Sequence, residues 1–164
     1  TMEPGQNKVN DTGRLHAPDI LLIPGGSGTR KVMYDSRLLS WIKSRAAGAQ
    51  LLLTVCTGSL VLAGTGLLDG LKATTHHEVI PLLRKTAPNT KVLPDERFID
   101  NGSVIVSAGI SAGIDLALAF VADQAGEEVA GKVQLHAEYY PDNTKYGSAH
   151  LAPEAPDYTK NPYN

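Results

Sequence analysis

The sequence holds a single cysteine, Cys56, in 164 residues. One thiol excludes an intramolecular disulfide and any multi-cysteine zinc or iron–sulfur centre. It suits a reducing compartment, most simply the cytoplasm. Neither sign of charge is in excess: 15 Lys and Arg stand against 17 Asp and Glu, a formal net charge of −2. No basic field is available to hold nucleic acid or an anionic membrane. The start, Thr1-Met2-Glu3-Pro4-Gly5-Gln6-Asn7, is polar and reads as no signal peptide. A membrane span is not expected either. Ala46 to Leu68 carries no charge, but Thr54, Thr57, Gly58, Ser59, Gly64, Thr65 and Gly66 interrupt it, whereas a lipid-facing helix wants about 20 mainly apolar residues. Two buried elements meeting at a sharp turn fit that stretch better. With 42% apolar and 20% charged residues, the composition is that of a globular protein, and the length predicts one domain over 1–164.

What is there alternates strand and helix. Residues 1–15 are polar and read as a loop or tail. Asp19-Ile20-Leu21-Leu22-Ile23 is an unbroken apolar run closed by Pro24-Gly25-Gly26-Ser27-Gly28, the pattern of a strand buried on both faces in a parallel sheet. Ser36 to Ala47 reads as a helix capped by Ser36. Gln50 to Val55 is a second buried strand, and Gly58 to Leu68 a helix of small residues, with a turn at Gly70. Lys72–Thr75 reads as a short strand and His77–Lys85 as a helix whose start Pro81 delays. Asn101-Gly102 marks a hairpin between Arg97–Asp100 and Ser103–Val106. Ser111–Ala122 and Glu127–Tyr139 read as helices. From Pro141 onward the chain is irregular, as if laid along the surface. Such alternation predicts an α/β fold with a mostly parallel sheet.

The segment Leu51-Leu52-Leu53-Thr54-Val55-Cys56-Thr57-Gly58-Ser59-Leu60 carries the most chemistry. It runs strand, cysteine, small residue, glycine, helix, which holds a side chain out above the carboxyl edge of the sheet. The positive end of the following helix favours thiolate over thiol, and the Thr57 amide is placed to stabilise an oxyanion. The plain alternative is a buried structural cysteine. Pro24-Gly25-Gly26-Ser27-Gly28-Thr29 lacks the spacing of a dinucleotide or P-loop motif, so no nucleotide or other cofactor is expected. It reads either as a glycine turn or as a second oxyanion wall, beside Cys56 if the two strands are neighbours. His76 or His77, twenty residues on, can shuttle a proton near the thiol. The alternative is a solvent-facing histidine at a helix start. Being adjacent, the two cannot share one helix face, so no metal site is expected. His16, His136, Glu138 and His150 read as structural or solvated, and Asp115 as a cap of its helix.

Five runs taken in order resemble the ThiJ/PfpI family of the class I glutamine-amidotransferase-like superfamily: Asp19–Gly26, Val55–Leu62, Gly66–Gly70, Ala73–His76 and Ser107–Asp115. Within the family the sequence is most similar to isonitrile (cyclohexyl-isocyanide) hydratases and to the ligand-domain relatives in AraC-type regulators, and Val133–Pro141 resembles the end of that subgroup. The resemblance covers residues 18–141. It implies a flavodoxin-like three-layer sandwich, a homodimer and a small-molecule substrate. It further implies that Cys56 is the elbow nucleophile, with Thr57 an amide donor whose hydroxyl lies near the substrate. Gly25 and Gly26 match the facing glycine turn, Gly58 opens the helix after the nucleophile, and His76 matches the family histidine.

One departure stands out. Family members begin with a strand and helix, carrying the acid that partners the cysteine, ahead of the run matching Asp19–Ile23. Only about eighteen polar residues precede it here, too few for a βαβ unit of about 30 residues. The expectation is that this strand and helix are missing or supplied by another chain, as a bound N-terminal fragment or through a homodimer. Three functions follow: hydration of an isonitrile to an N-substituted formamide, a ligand-sensing domain without turnover, or a thiol-redox protein working through Cys56. No helix-turn-helix region follows the domain, so this chain alone is not expected to bind DNA.

Overall fold

A computed structural model describes residues 18–141 and 146–160. The polar start, His16 included, and the last four residues lie outside them. The element order is β1 (Ile20–Ile23), α1 (Thr29–Val32), α2 (Ser36–Ala46), β2 (Leu51–Thr54), α3 (Gly58–Gly64), β3 (Lys72–Ala73), α4 (Ile80–Thr86), β4 (Lys91–Val92), β5 (Phe98–Asp100), β6 (Val104–Ser107), α5 (Ile110–Ala125), α6 (Glu127–His136) and α7 (Asp157–Lys160). The main sheet runs β1-β2-β6-β5, parallel except for the β5–β6 hairpin turned at Gly102. β3 and β4 make a separate parallel pair. This is the flavodoxin-like α/β architecture with a mostly parallel sheet. No helix among the described residues is long and apolar enough to cross a membrane.

The core lies on the face that α3 covers. Leu60 and Leu62 of α3, with Leu68 and Leu83, are wholly buried against Ile23, Leu52 and Val106. Small residues let α3 settle this deeply, because a helix with little side-chain bulk brings its backbone close to the sheet. On the opposite face α5 packs over β5 and β6, and Gly113 clears Val55.

Several sequence expectations are corrected. Asp35, not Ser36, caps α2: its Oδ1 accepts the N–H groups of Arg37 (2.9 Å) and Leu38 (3.2 Å). α3 ends at Gly64, not Leu68, because Thr65 Oγ1 donates to the Leu62 carbonyl at 2.6 Å and Gly66 turns the chain at φ +78°. The helix expected over His77–Lys85 starts late, as Pro81 implies: a 3-10 turn, His77–Val79, precedes α4, and Pro81 lies in the first turn of α4. α6 stops at His136; Glu138, expected on that helix, sits at φ 50° beyond it. The irregular tail contains a 3-10 turn, Ala149–Leu151, and α7.

β1 is the most informative correction. Its unbroken apolar run implied burial on both faces, yet Ile20 is 42% and Leu22 52% exposed. The two point to the same side of the sheet as Leu51 and Leu53, their register partners. β1 is the outermost strand of the described sheet, and an apolar groove of about 240 Å³ beside it is lined by Leu22, Pro24, Leu38 and Trp41 among others.

Candidate functional site

The parallel β1–β2 pairing ends with Ile23 opposite Thr54, so the loops leaving the two strands emerge side by side at their carboxyl ends. Open α/β sheets bind ligands at this edge. Cys56 is the second residue after β2 and has φ 57°. Left-handed backbone at a residue with a β-carbon stores about 1–3 kcal/mol of strain and persists only where surrounding contacts impose it. Those contacts are present. The Cys56 N–H donates to the carbonyls of Ala108 (2.8 Å) and Ser107 (3.2 Å) at the end of β6. Its carbonyl accepts from Thr75 Oγ1 (3.0 Å) and Ser59 Oγ (3.2 Å). The half-buried thiol therefore stands on a backbone clamped from β6, from α3 and from the segment before His76.

The glycine turn is fitted to this elbow. A β-carbon on Gly25 would lie 2.8 Å from the Thr57 nitrogen and 2.9 Å from the Cys56 β-carbon. Thr57 Oγ1 accepts the Gly26 N–H at 2.9 Å and donates to the Gly26 carbonyl at 3.1 Å. This reciprocal pair locks the two loops together. It also directs the Gly26 amide at Thr57 and away from a ligand, whereas the Thr57 N–H makes no hydrogen bond among the described residues. Gly58 is buried where a β-carbon would meet the Ile23 carbonyl oxygen at 2.2 Å.

His76 joins the elbow through its neighbour Thr75. It caps the 3-10 turn, with Nδ1 accepting the Glu78 N–H at 3.4 Å, which leaves Nε2 as the protonated nitrogen of the neutral ring. Gly109, at the start of α5, lies against the Cδ2 side of that ring. His77 is its aromatic neighbour at 4.5 Å, and neither ring is fully exposed. Burial holds the His76 imidazole below the ordinary histidine value; His77 and Arg30 reinforce this and Glu78 opposes it. A histidine whose folded-state value is depressed contributes stability that is present above the unfolded value of about 6.5 and is lost as pH falls from there through the lower folded value. His76→Gln is thus expected to flatten the dependence of the denaturation midpoint on pH just below 6.5. An unchanged profile would show that His76 is not the group responsible.

A second cluster adjoins the elbow, and sequence reasoning did not find it. Asp115 does not cap α5. Its carboxylate pairs with the Arg97 guanidinium, with Nε at 2.5 Å, and accepts the Tyr139 hydroxyl at 2.9 Å. Arg97 also reaches Ser111 Oγ at 3.2 Å, and Tyr158 of α7 lies over its guanidinium, 5.3 Å from ring centroid to carbon. Burial raises the Tyr139 phenol above the usual tyrosine value, reinforced by Asp115. The only available signal was that Ser111 and Asp115 belong to the run Ser107–Asp115. Nothing in the sequence pairs them with Arg97 or with tyrosines farther on.

Residues 8–123 match the DJ-1/PfpI family model. The chain is 40% identical over 141 residues to isonitrile hydratase of Pseudomonas putida, an alignment covering 84% of this chain and 59% of that protein. It is 34% identical to the HTH-type transcriptional regulator CdhR of Pseudomonas aeruginosa, over 76% of this chain and 38% of the regulator. Among solved structures, a ThiJ/PfpI family protein from Pseudomonas syringae superposes with a TM-score of 0.70 at 32% identity, covering 80% of this chain and 53% of that one. DJ-1beta of Drosophila melanogaster, at 24% identity and a TM-score of 0.63, shares the fold. The chain therefore spans less than two thirds of the length of these relatives.

Proposed function

Because this chain belongs to the DJ-1/PfpI family, we propose that it is the cysteine-bearing part of an isonitrile hydratase. The observation that carries the reading is Cys56 at φ 57°, clamped above the sheet edge beside the glycine turn. The 40% identity to isonitrile hydratase over most of the chain supports the choice of reaction. The Cys56 sulfur adds to the terminal carbon of R–N≡C while an acid delivers a proton to that carbon, giving a thioimidate, R–N=CH–S–Cys56. Water adds to the same carbon, the C–S bond breaks, and the sulfur leaves with its electron pair. The product is the formamide R–NH–CHO, and the thiol is restored. The Thr57 N–H makes no hydrogen bond among the described residues, and it and the Nε2–H of the neutral His76 ring are the donors this reading assigns to the reacting isonitrile. No resident cofactor or metal enters this reaction.

The acid is assigned to a segment that completes the sheet at β1. Exposed Ile20 and Leu22 and the groove beside Trp41 support a further strand and helix there, because an open apolar edge of a parallel sheet is normally covered. That segment belongs to this protein's own chain or to another chain packed on the edge, a second copy included. Made alone, the 17.4 kDa chain is expected to sediment as a dimer or larger species, and Leu22→Asp to shift it toward monomer. A cooperative monomer that binds no companion would show that the edge needs no cover.

A second reading rests on the likeness to the regulator: a pocket that binds a small molecule without turnover. Isonitrile binding with no formamide formed, in a sample containing the acid, would favour it.

A further inference from the structure

The geometry points to Arg97 and Asp115 as a positioning pair for Cys56: together they fix the junction between β6 and α5 that holds the backbone of the thiol-bearing residue. Their role rests on the reading of Cys56 as the reacting group only where turnover is concerned.

The left-handed backbone of Cys56, at φ 57°, persists only while its neighbours impose it. On the β6 side its N–H is held by the carbonyls of Ala108 (2.8 Å) and Ser107 (3.2 Å). These two residues lead from β6 into α5. The N-cap of α5 is Gly109, which makes no side-chain cap bond, so the helix start lacks the usual local anchor. Arg97, one residue ahead of β5, supplies an anchor from outside. Its carbonyl accepts the Ala108 N–H at 2.8 Å. Its guanidinium donates to Ser111 Oγ at 3.2 Å and to the Asp115 carboxylate one turn farther along α5. A single residue thus grips the chain on both sides of Gly109. Two backbone hydrogen bonds, Cys56 to Ala108 and Ala108 to Arg97, complete the path from the ion pair to the elbow.

The carboxylate is fully engaged. Asp115 Oδ2 takes both Nε and Nη2 of Arg97, and Oδ1 accepts the Tyr139 hydroxyl at 2.9 Å. Charge-assisted bonds from a planar guanidinium fix orientation as well as distance. The two side chains are 35% and 26% exposed, so water competes with the pair less than at an open surface. An ordinary ion pair on a helix would be indifferent to Cys56. This one is not, because its arginine also carries the carbonyl that holds Ala108. Without the pair, Arg97 keeps that backbone bond but loses its hold on α5. The junction is then gripped on one side only, and Cys56 can relax its strained backbone by releasing the Ala108 carbonyl.

The chain's single cysteine makes this measurable. Protein grown with 15N-cysteine carries one labelled amide, that of Cys56, and its exchange in D2O is followed by NMR. Asp115→Ala is expected to speed this exchange at least about tenfold, the scale of a lost charge-assisted contact that opens a local unit. Arg97→Ala, which retains the residue-97 carbonyl, is expected to do the same, and the double variant to exchange no faster than Asp115→Ala, because the two act as a unit. Asp115→Asn keeps an oxygen for the guanidinium; it is expected to fall between parent and Asp115→Ala, and serves if alanine there prevents folding. Ile42→Val, a buried change in α2 away from the junction, is expected to lower the urea midpoint while leaving Cys56 exchange at the parent rate. Unchanged exchange in the pair variants that fold, equal acceleration by Ile42→Val, or additive effects in the double variant each overturn the inference. Turnover of cyclohexyl isocyanide is followed in the same samples. If the parent turns it over, the pair variants are expected to lose about tenfold in kcat with little change in KM, as misplacement of a reacting group does; a parent-level kcat overturns the inference. Fast exchange in the variants with no turnover in the parent retires the hydratase reading and leaves the positioning pair standing. Turnover in the parent with unchanged exchange in the variants does the reverse.

Discussion

Cys56→Ala is expected to lower formamide production from a bulky alkyl isonitrile by at least about 10³-fold, the scale on which loss of an attacking group acts. The sample must contain the acid that protonates the isonitrile carbon. The effect is expected in kcat rather than in binding, since alanine removes the sulfur and leaves the clamp on the backbone. The carbonyls of Ser107 and Ala108 still receive the residue-56 N–H, and Thr75 Oγ1 still reaches the carbonyl. The variant also loses none of the conformational demand at φ 57°, because alanine carries the same β-carbon. Formation of R–NH–CHO is followed by its carbonyl absorbance or by mass. Parent-level turnover in Cys56→Ala would dismiss the covalent mechanism. A sharp loss of turnover with retained isonitrile binding would place the sulfur in the chemical step.

The contrast between the elbow and the cluster beside it shows which parts of the site the sequence discloses. Cys56, Thr57 and Gly58 are consecutive, and the strand and helix flanking them have clear local patterns. Their placement at a sharp turn therefore follows from one short stretch. Placing Gly25 and Gly26 beside Cys56 takes one further assumption, that β1 and β2 are neighbours, and the sheet order bears that assumption out. Arg97, Asp115, Tyr139 and Tyr158 had no such route. They are 18 to 24 positions apart where the hydrogen bonds of Asp115 join them, and Tyr158 joins through an aromatic stack that no periodicity announces. Side-chain pairs of this kind are set by how α5, β5 and the tail pack, which depends on tertiary geometry rather than local propensity.

The errors in element boundaries have equally local causes. Asp35 outcompeted Ser36 as the cap of α2 because its carboxylate reaches two amides, those of Arg37 and Leu38. The sequence pattern of α3 runs four residues past its end because Thr65, Gly66, Leu67 and Leu68 continue its small and apolar composition. The Thr65 hydroxyl and the positive φ of Gly66 end it where composition gives no sign. β1 is the opposite case. Its apolar run carries the pattern of a doubly buried strand, and the exposure of Ile20 and Leu22 marks the place where the described chain leaves its sheet uncovered.

Gly58→Ala is expected to destabilise the protein by about 3 kcal/mol, toward the upper end of what overpacking does. The added β-carbon would sit 2.2 Å from the Ile23 carbonyl oxygen and 3.0 Å from that of Pro24. Both obstacles are backbone, so no rotamer change relieves them. Either α3 lifts from the sheet or the end of β1 moves. Lifting α3 opens the packing of Leu60 and Leu62, which are wholly buried. Moving β1 pulls its terminal pair, Ile23 with Thr54, out of register and shifts Gly26 away from the Thr57 hydroxyl. The damage therefore extends from the core to the loops that hold Cys56. Gly131→Ala is the matched control. It lies in α6 with nothing within 4 Å of the added carbon, and alanine inside a helix is favoured over glycine by about 0.5–1 kcal/mol. Urea denaturation of both variants should move the midpoint in opposite directions, down for Gly58→Ala and slightly up for Gly131→Ala, with little change in slope. A Gly58→Ala midpoint equal to the parent's would mean that the elbow tolerates a β-carbon there, and that the close approach of α3 to β1 is not what holds the two loops together.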